Sequence, residues 1–265
     1  MNEQDPPGGK RPTTDSVTPP MYEPADPSFG SAPERPPRVP AFNIPPVIWL
    51  VSLPLIAIHA GLDFASNETF GTALLLFAFI PEAYHVGVER LYEPMARYWS
   101  PLTYFFLHGD WTHLLMNLFW MLAFGSAVAK RFGASRFLLM LAGGTLAAAL
   151  AHFVTNLHSL APVIGASGGV SACMGAAVRF AFAPGGVSSS VRQPSLSVGQ
   201  ALTNSRTMPF ILIWFATNWL FGAGVVPIAG ASGEIAWEAH IGGFLFGLLA
   251  FGWFDPQRRT LYRSG

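Results

Sequence analysis

Cysteine and charge are the two scarce things in this chain. Cys173 stands alone, so no intrachain disulfide forms and no paired-cysteine metal site exists. It reads as a small buried hydrophobe. Asp, Glu, Lys and Arg make up 11% of 265 residues, where a soluble domain carries about 25%. That shortfall points to a membrane protein. Basic and acidic residues number 15 each, so no basic field draws in nucleic acid. Residues 1–40 hold no apolar stretch of the kind a secretory leader needs. The zinc-protease pattern H-E-x-x-H is absent too.

Apolar residues are plentiful, at 51%. The first 40 residues hold 11 of the 23 prolines and few large apolar side chains, a composition that cannot bury a core. Residues 1–45 are expected to be a disordered, Pro-rich cytoplasmic tail. Residues 46–254 form the membrane domain, and 255–265 a short basic cytoplasmic tail.

Crossing a bilayer takes about 20 mainly apolar residues. Six stretches qualify: 46–62, 111–129, 137–154, 163–182, 208–226 and 236–254. The run "FGTALLLFAFI" (70–80) is too short to span and reads as an interfacial or half-buried element in a long first extracytoplasmic loop. If the N-terminus is cytoplasmic, every Lys and Arg except Arg90 and Arg97 falls on the cytoplasmic side. This bias favours an all-α bundle of six transmembrane helices with both termini cytoplasmic.

On that topology, Ser167, His240, His113 and Asn117 come from three spans but share one depth, in the outer half of the bilayer. His113 and Asn117 are four apart and lie on one helix face. Polar groups inside a membrane usually face a bundle interior or a wet cavity. A serine and a histidine at matched depth suit nucleophilic catalysis, the imidazole taking the hydroxyl proton as the oxygen attacks a carbonyl. Asn117, His113 and the Ser167 backbone N–H can supply hydrogen bonds to the oxyanion. Glu238 is two residues from His240 and off its helix face, so the reading is a dyad with no acidic third member. Gly168, Ala172 and Gly175 make a small-residue stripe on the fourth span. Gly243 and Gly247 make another on the sixth, and such stripes allow helix backbones to approach closely. His59, His85, His152 and His158 read as structural or interfacial.

"GASG" (165–168), "HGDWTHLLMN" (108–117) and "AHIGG" (239–243) running into Gly247 together resemble the rhomboid family of intramembrane serine proteases. The resemblance covers the six-span core. It implies a serine endopeptidase that cleaves transmembrane-helix substrates within the lipid bilayer, without cofactor, metal or nucleic acid. It implies a multi-pass protein of a bacterial plasma (inner) membrane. Ser167 then matches the nucleophile and His240 the base, Asn117 and His113 the oxyanion contacts, and His108 a structural histidine. Gly165, Gly168, Gly243 and Gly247 match structural positions near the site. Three positions depart from the common pattern: Ser100 after Trp99, Ala129 in "VAKR", and Ser171 where an aromatic ring often packs on the catalytic histidine. The Ser171 hydroxyl is free either to orient His240 or to bond a carbonyl one turn back.

Three alternatives stand beside this reading. A rhomboid-like non-enzyme that binds membrane helices typically lacks the serine or the histidine, and both are present. A transporter would show an inverted-repeat pattern. A zinc site of His108, His113 and His240 is disfavoured because His108 and His113 are five apart, off one helix face.

Overall fold

Proline fixes where the first helix begins. The computed structural model describes residues 43–85, 93–182, 193–222 and 236–257, and α1 runs Pro46–Asp63 with proline in its first turn, where the missing N–H has no partner to lose. Its buried residues Val47, Val51, Leu55 and His59 repeat every four positions, one face of a helix. Its other face exposes Trp49, Leu50 and Leu53. α2 (Asn67–Phe77) is capped by Ser66, whose hydroxyl accepts from the Thr69 N–H at 3.2 Å. α2 contains the start of the 70–80 run and buries no residue fully; Ala78, Phe79 and Ile80 after it are buried. Phe79 forms an isolated antiparallel bridge with Val163. No named strand occurs among the described residues.

After the short α3 (Ser100–Thr103), α4 runs Trp111–Phe132. Asp110 caps it, its Oδ1 accepting from the His113 N–H at 2.8 Å. A π turn at Met121–Gly125 interrupts it. α5 (Ala134–Thr155), α6 (Ser167–Val178), the short α7 (Val198–Thr203), α8 (Met208–Gly222) and α9 (Trp237–Phe254) follow. The apolar stretch 163–182 is thus helical over only 12 residues. Residues 163–166 are tied instead into the bridge and a glycine turn. The stretch 208–226 continues past 222, outside the described residues. The N-terminal tail up to residue 42, the C-terminal tail from 258, and Arg90 and Arg192 also lie outside them.

The distribution of polarity is inverted relative to a water-soluble protein. Large apolar side chains such as Leu115, Leu139, Leu150, Ile213 and Trp253 are exposed, while His108, Asn117, Arg131 and Asp255 are buried. In water so much exposed apolar surface would drive association; in lipid it is the expected outer face. α1, α4 and α5 are long and apolar enough to cross a membrane, and α6 and α8 are apolar but shorter. The chain is an all-helical integral membrane protein. At the centre, α6 buries all residues from Gly168 to Val178 and packs against α5 and α9.

Charge inside this apolar body is paired. Arg131, near the end of α4, grips Asp255 just after α9, with Nε donating to Oδ1 at 3.1 Å and Nη2 to Oδ2 at 2.9 Å. Its Nη1 donates to the Gln193 carbonyl at 2.9 Å, and its guanidinium lies over the Phe180 ring at 4.9 Å. Asp255→Ala removes the carboxylate that balances a buried cation and is expected to cost about 3–5 kcal/mol. Thermal unfolding in detergent checks this. The double variant Arg131→Met/Asp255→Leu should recover most of the loss.

Candidate active site

Ser167 is the first residue of α6, and the segment before it is fastened bond by bond. The Val163 N–H donates to the Phe79 carbonyl at 2.8 Å and the Gly165 N–H to the Tyr104 carbonyl at 3.0 Å. The Ala166 N–H donates to His108 Nε2 at 3.4 Å. Gly165 has φ +116°, a conformation that favours glycine. These ties set Ser167 at a helix N-terminus, where first-turn N–H groups have no intrahelical acceptor and the helix dipole is positive.

His240 sits in the first turn of α9. Its Nε2 is 2.7 Å from Ser167 Oγ. The glycine stripes explain the reach, because they face each other. A Cβ on Gly243 would fall onto the Gly168 carbonyl, and one on Gly247 onto the Ala172 carbonyl. From the other side, Gly175 meets the Phe244 carbonyl in the same way. Gly168 itself has no room for a Cβ beside Ala148 and Tyr104.

His113 and Asn117 approach from α4. A Cβ on Gly165 would lie 2.6 Å from His113 Nε2 and 3.7 Å from Ser167 Oγ, so the imidazole and the hydroxyl flank the same glycine. Asn117 is buried, with Nδ2 donating to the His113 carbonyl at 3.0 Å. An amide nitrogen carries two hydrogens, so one donor remains for a ligand. His108 is fully buried and its ring stands 5.0 Å from that of His113.

Of the zinc set, both ring nitrogens of His240 are hydrogen-bonded in this structure, and His108 Nε2 accepts from the Ala166 N–H while its Nδ1 has no partner among the described residues. A different donor set converges among the described residues: Glu82, His85 and His158, whose ligand atoms lie within 4.8 Å of one another. His85 and His158 stack with ring centroids 4.3 Å apart, and His158 pairs with Glu82 at 3.1 Å.

The departures and the remaining histidines acquire surroundings. Ser100 shares a hydrogen bond with the Tyr84 hydroxyl at 3.0 Å, and Tyr84 also donates to the Arg97 carbonyl. Trp99 ties the same loop to the Leu76 carbonyl at 2.7 Å. Ala129 is buried in the core. Ser171 is buried too, and neither hydrogen bond expected of it, to His240 or to the Ser167 carbonyl, is present among the described residues. His59 packs its ring edge-on against Trp111 at 4.7 Å. His152 faces Glu238 across α5 and α9 at 3.7 Å, which gives that carboxylate a partner other than His240.

One site residue escapes the sequence reading. Asn218 on α8 places Oδ1 2.6 Å from His240 Nδ1, and its Nδ2 donates to the Trp214 carbonyl at 2.8 Å. Its signal is an amide within the apolar run "ILIWFATNWLF", where a polar group usually seeks another helix.

The family model described as "Rhomboid domain" matches residues 95–257. Proteins named Rhomboid protease GlpG from Salmonella paratyphi A, Salmonella typhi and Salmonella newport are each 24% identical over 205 residues. The match takes in 77% of this chain and 61% of each relative, so the chain spans less than two thirds of their length.

Gly165→Ala combines a left-handed backbone with a Cβ driven into the His113 ring. The strained backbone alone is expected to cost about 1–3 kcal/mol, read as a lower thermal midpoint in detergent.

Proposed function

The chain belongs to the rhomboid family, and from that premise we propose that it is an intramembrane serine endopeptidase. It cuts transmembrane-helix substrates in the outer half of a bilayer, by a Ser167–His240 dyad. The observation that carries this reading is the 2.7 Å contact between Ser167 Oγ and His240 Nε2 at a helix N-terminus. The bacterial sources of its relatives support a plasma-membrane setting.

The chemistry follows from the atoms at hand. Ser167 Oγ attacks the scissile carbonyl carbon while His240 Nε2 takes its proton. The carbonyl oxygen becomes an oxyanion, held by the Ser167 N–H, the second Asn117 Nδ2 hydrogen and His113. Collapse breaks the C–N bond, and the imidazolium gives its proton to the departing amine. Water then attacks the acyl ester, losing a proton to the same nitrogen, and Ser167 leaves with that proton restored.

The membrane arrangement we propose has six spans, α1, α4, α5, α6, α8 and α9, with both termini cytoplasmic. α6 measures about 18 Å from its 12 residues, against a hydrocarbon core of about 30 Å. The chain on its outer side, residues 163–166, is not helical, and such backbone is tolerated at depth only inside protein or along a wet cavity. Ser167 is partly exposed at that end of α6, where the water that deacylation consumes would reach it. A substrate helix has its carbonyls closed by its own hydrogen bonds, so residues that weaken that helix favour cleavage.

Cleavage of a transmembrane substrate by the detergent-solubilised protein is the test. Ser167→Ala and His240→Ala should both abolish it while remaining folded, and both should lose labelling by a serine-directed fluorophosphonate. Wild-type turnover in either variant would remove the dyad. Asn117→Ala should lower turnover about 100- to 1,000-fold with little change in KM, the usual loss for one oxyanion donor.

A further inference from the structure

A histidine that serves as base needs one nitrogen bare, and something must decide which. We propose that Asn218 is a positioning residue that makes this decision for His240, an inference resting on the dyad proposed above. The Asn218 amide has one acceptor end and one donor end. Its Nδ2 lies 2.8 Å from the Trp214 carbonyl oxygen, an atom that only accepts. Turning the amide over would set two oxygens face to face and lose that bond. The end 2.6 Å from His240 Nδ1 is therefore Oδ1, which accepts. His240 must donate from Nδ1, and a neutral imidazole carries one N–H. Nε2 is left as the acceptor that faces the Ser167 hydroxyl at 2.7 Å.

The tautomer of the base is thus set by a backbone carbonyl of α8, relayed through one side chain. The same contact fixes the plane of the ring, since it holds Nδ1 while Nε2 stays on Ser167. This bears on the departure at Ser171. Where an aromatic ring would pack on the imidazole, this chain has a buried serine that makes no hydrogen bond to it among the described residues. Orientation that stacking would supply comes here from Asn218. A neutral amide also suits the surroundings: a carboxylate in the same apolar helix would carry a large desolvation penalty.

The full-length protein in detergent tests this with Asn218→Ala and Asn218→Asp, and with 15N NMR of histidine-labelled wild type. The wild-type His240 signals should show a protonated Nδ1 and a bare Nε2. Asn218→Ala should lower kcat by about 10- to 100-fold with KM within about twofold, as expected for loss of a hydrogen bond that orients a base. Fluorophosphonate labelling should slow in proportion. Asn218→Asp keeps an acceptor toward Nδ1 but sets an oxygen against the Trp214 carbonyl and carries the desolvation penalty, so it should recover only part of the loss; even partial recovery is something a purely structural role would not predict. Wild-type kcat in Asn218→Ala, or a wild-type spectrum with the proton on Nε2, would overturn the inference. The NMR result stands even if Asn218→Ala fails to fold. Wild type that neither cleaves nor labels would instead sink the protease reading, while the spectrum still reports on Asn218.

Discussion

Two helices can bring a serine and a histidine to 2.7 Å only if their backbones nearly touch. That constraint falls on the α6–α9 seam, where Gly243 lies against the Gly168 carbonyl and Gly247 against the Ala172 carbonyl. In lipid there is no hydrophobic gain from joining two apolar helices, so close van der Waals contact supplies much of the association. Glycine at these positions therefore acts twice. It lets the helices associate, and it sets the separation of Oγ and Nε2. The same seam encloses α6, whose burial from Gly168 to Val178 leaves Ser167 as its one partly open residue.

Around that seam, several buried polar groups are tied to partners on other elements. His108 accepts from the Ala166 N–H, Tyr104 donates to the Thr145 carbonyl, and Arg131 shares its charge with Asp255. Unpaired, such groups would be costly in an apolar interior. The pairs also do geometric work. Tyr104, through its own carbonyl, holds the Gly165 N–H and with it the turn that delivers Ser167. His240 is held at both nitrogens, so its ring has no free rotation left.

Much of this can be read from residues alone, and the failures have physical reasons. The run 46–62 is α1 to within a residue, because Pro46 opens the helix and the polar Asp63 closes it. Matched depth and facing glycines bring Ser167 toward His240, since both signals are periodic in sequence. The run 163–182 misleads, because apolar composition does not distinguish helix from a buried turn. The turn is set by the φ of Gly165 and by bonds to Phe79, Tyr104 and His108, all distant in sequence. Asn218 stands out only as an amide in an apolar run, and its partner is hidden for a related reason. Its role depends on the rotation of α8 about its axis, and an apolar helix with no polar face gives no indication of rotation. Arg131 reads as a loop cation by the positive-inside count, yet it is buried, because its partner lies 124 residues further on.

That separation has a counterpart in time. Ser167 and His240 are 73 residues apart, and at about 5–20 residues per second of synthesis the histidine follows the serine by roughly 4–15 s. During that interval α6 lacks the Gly243–Gly247 stripe of α9, and the Ser167 hydroxyl does not meet His240. Arg131 waits longer still for Asp255. α9 thus completes both the hydroxyl's hydrogen bond and, with Asp255 just after it, the pairing of the buried cation, so a nascent chain cut short before α9 has neither.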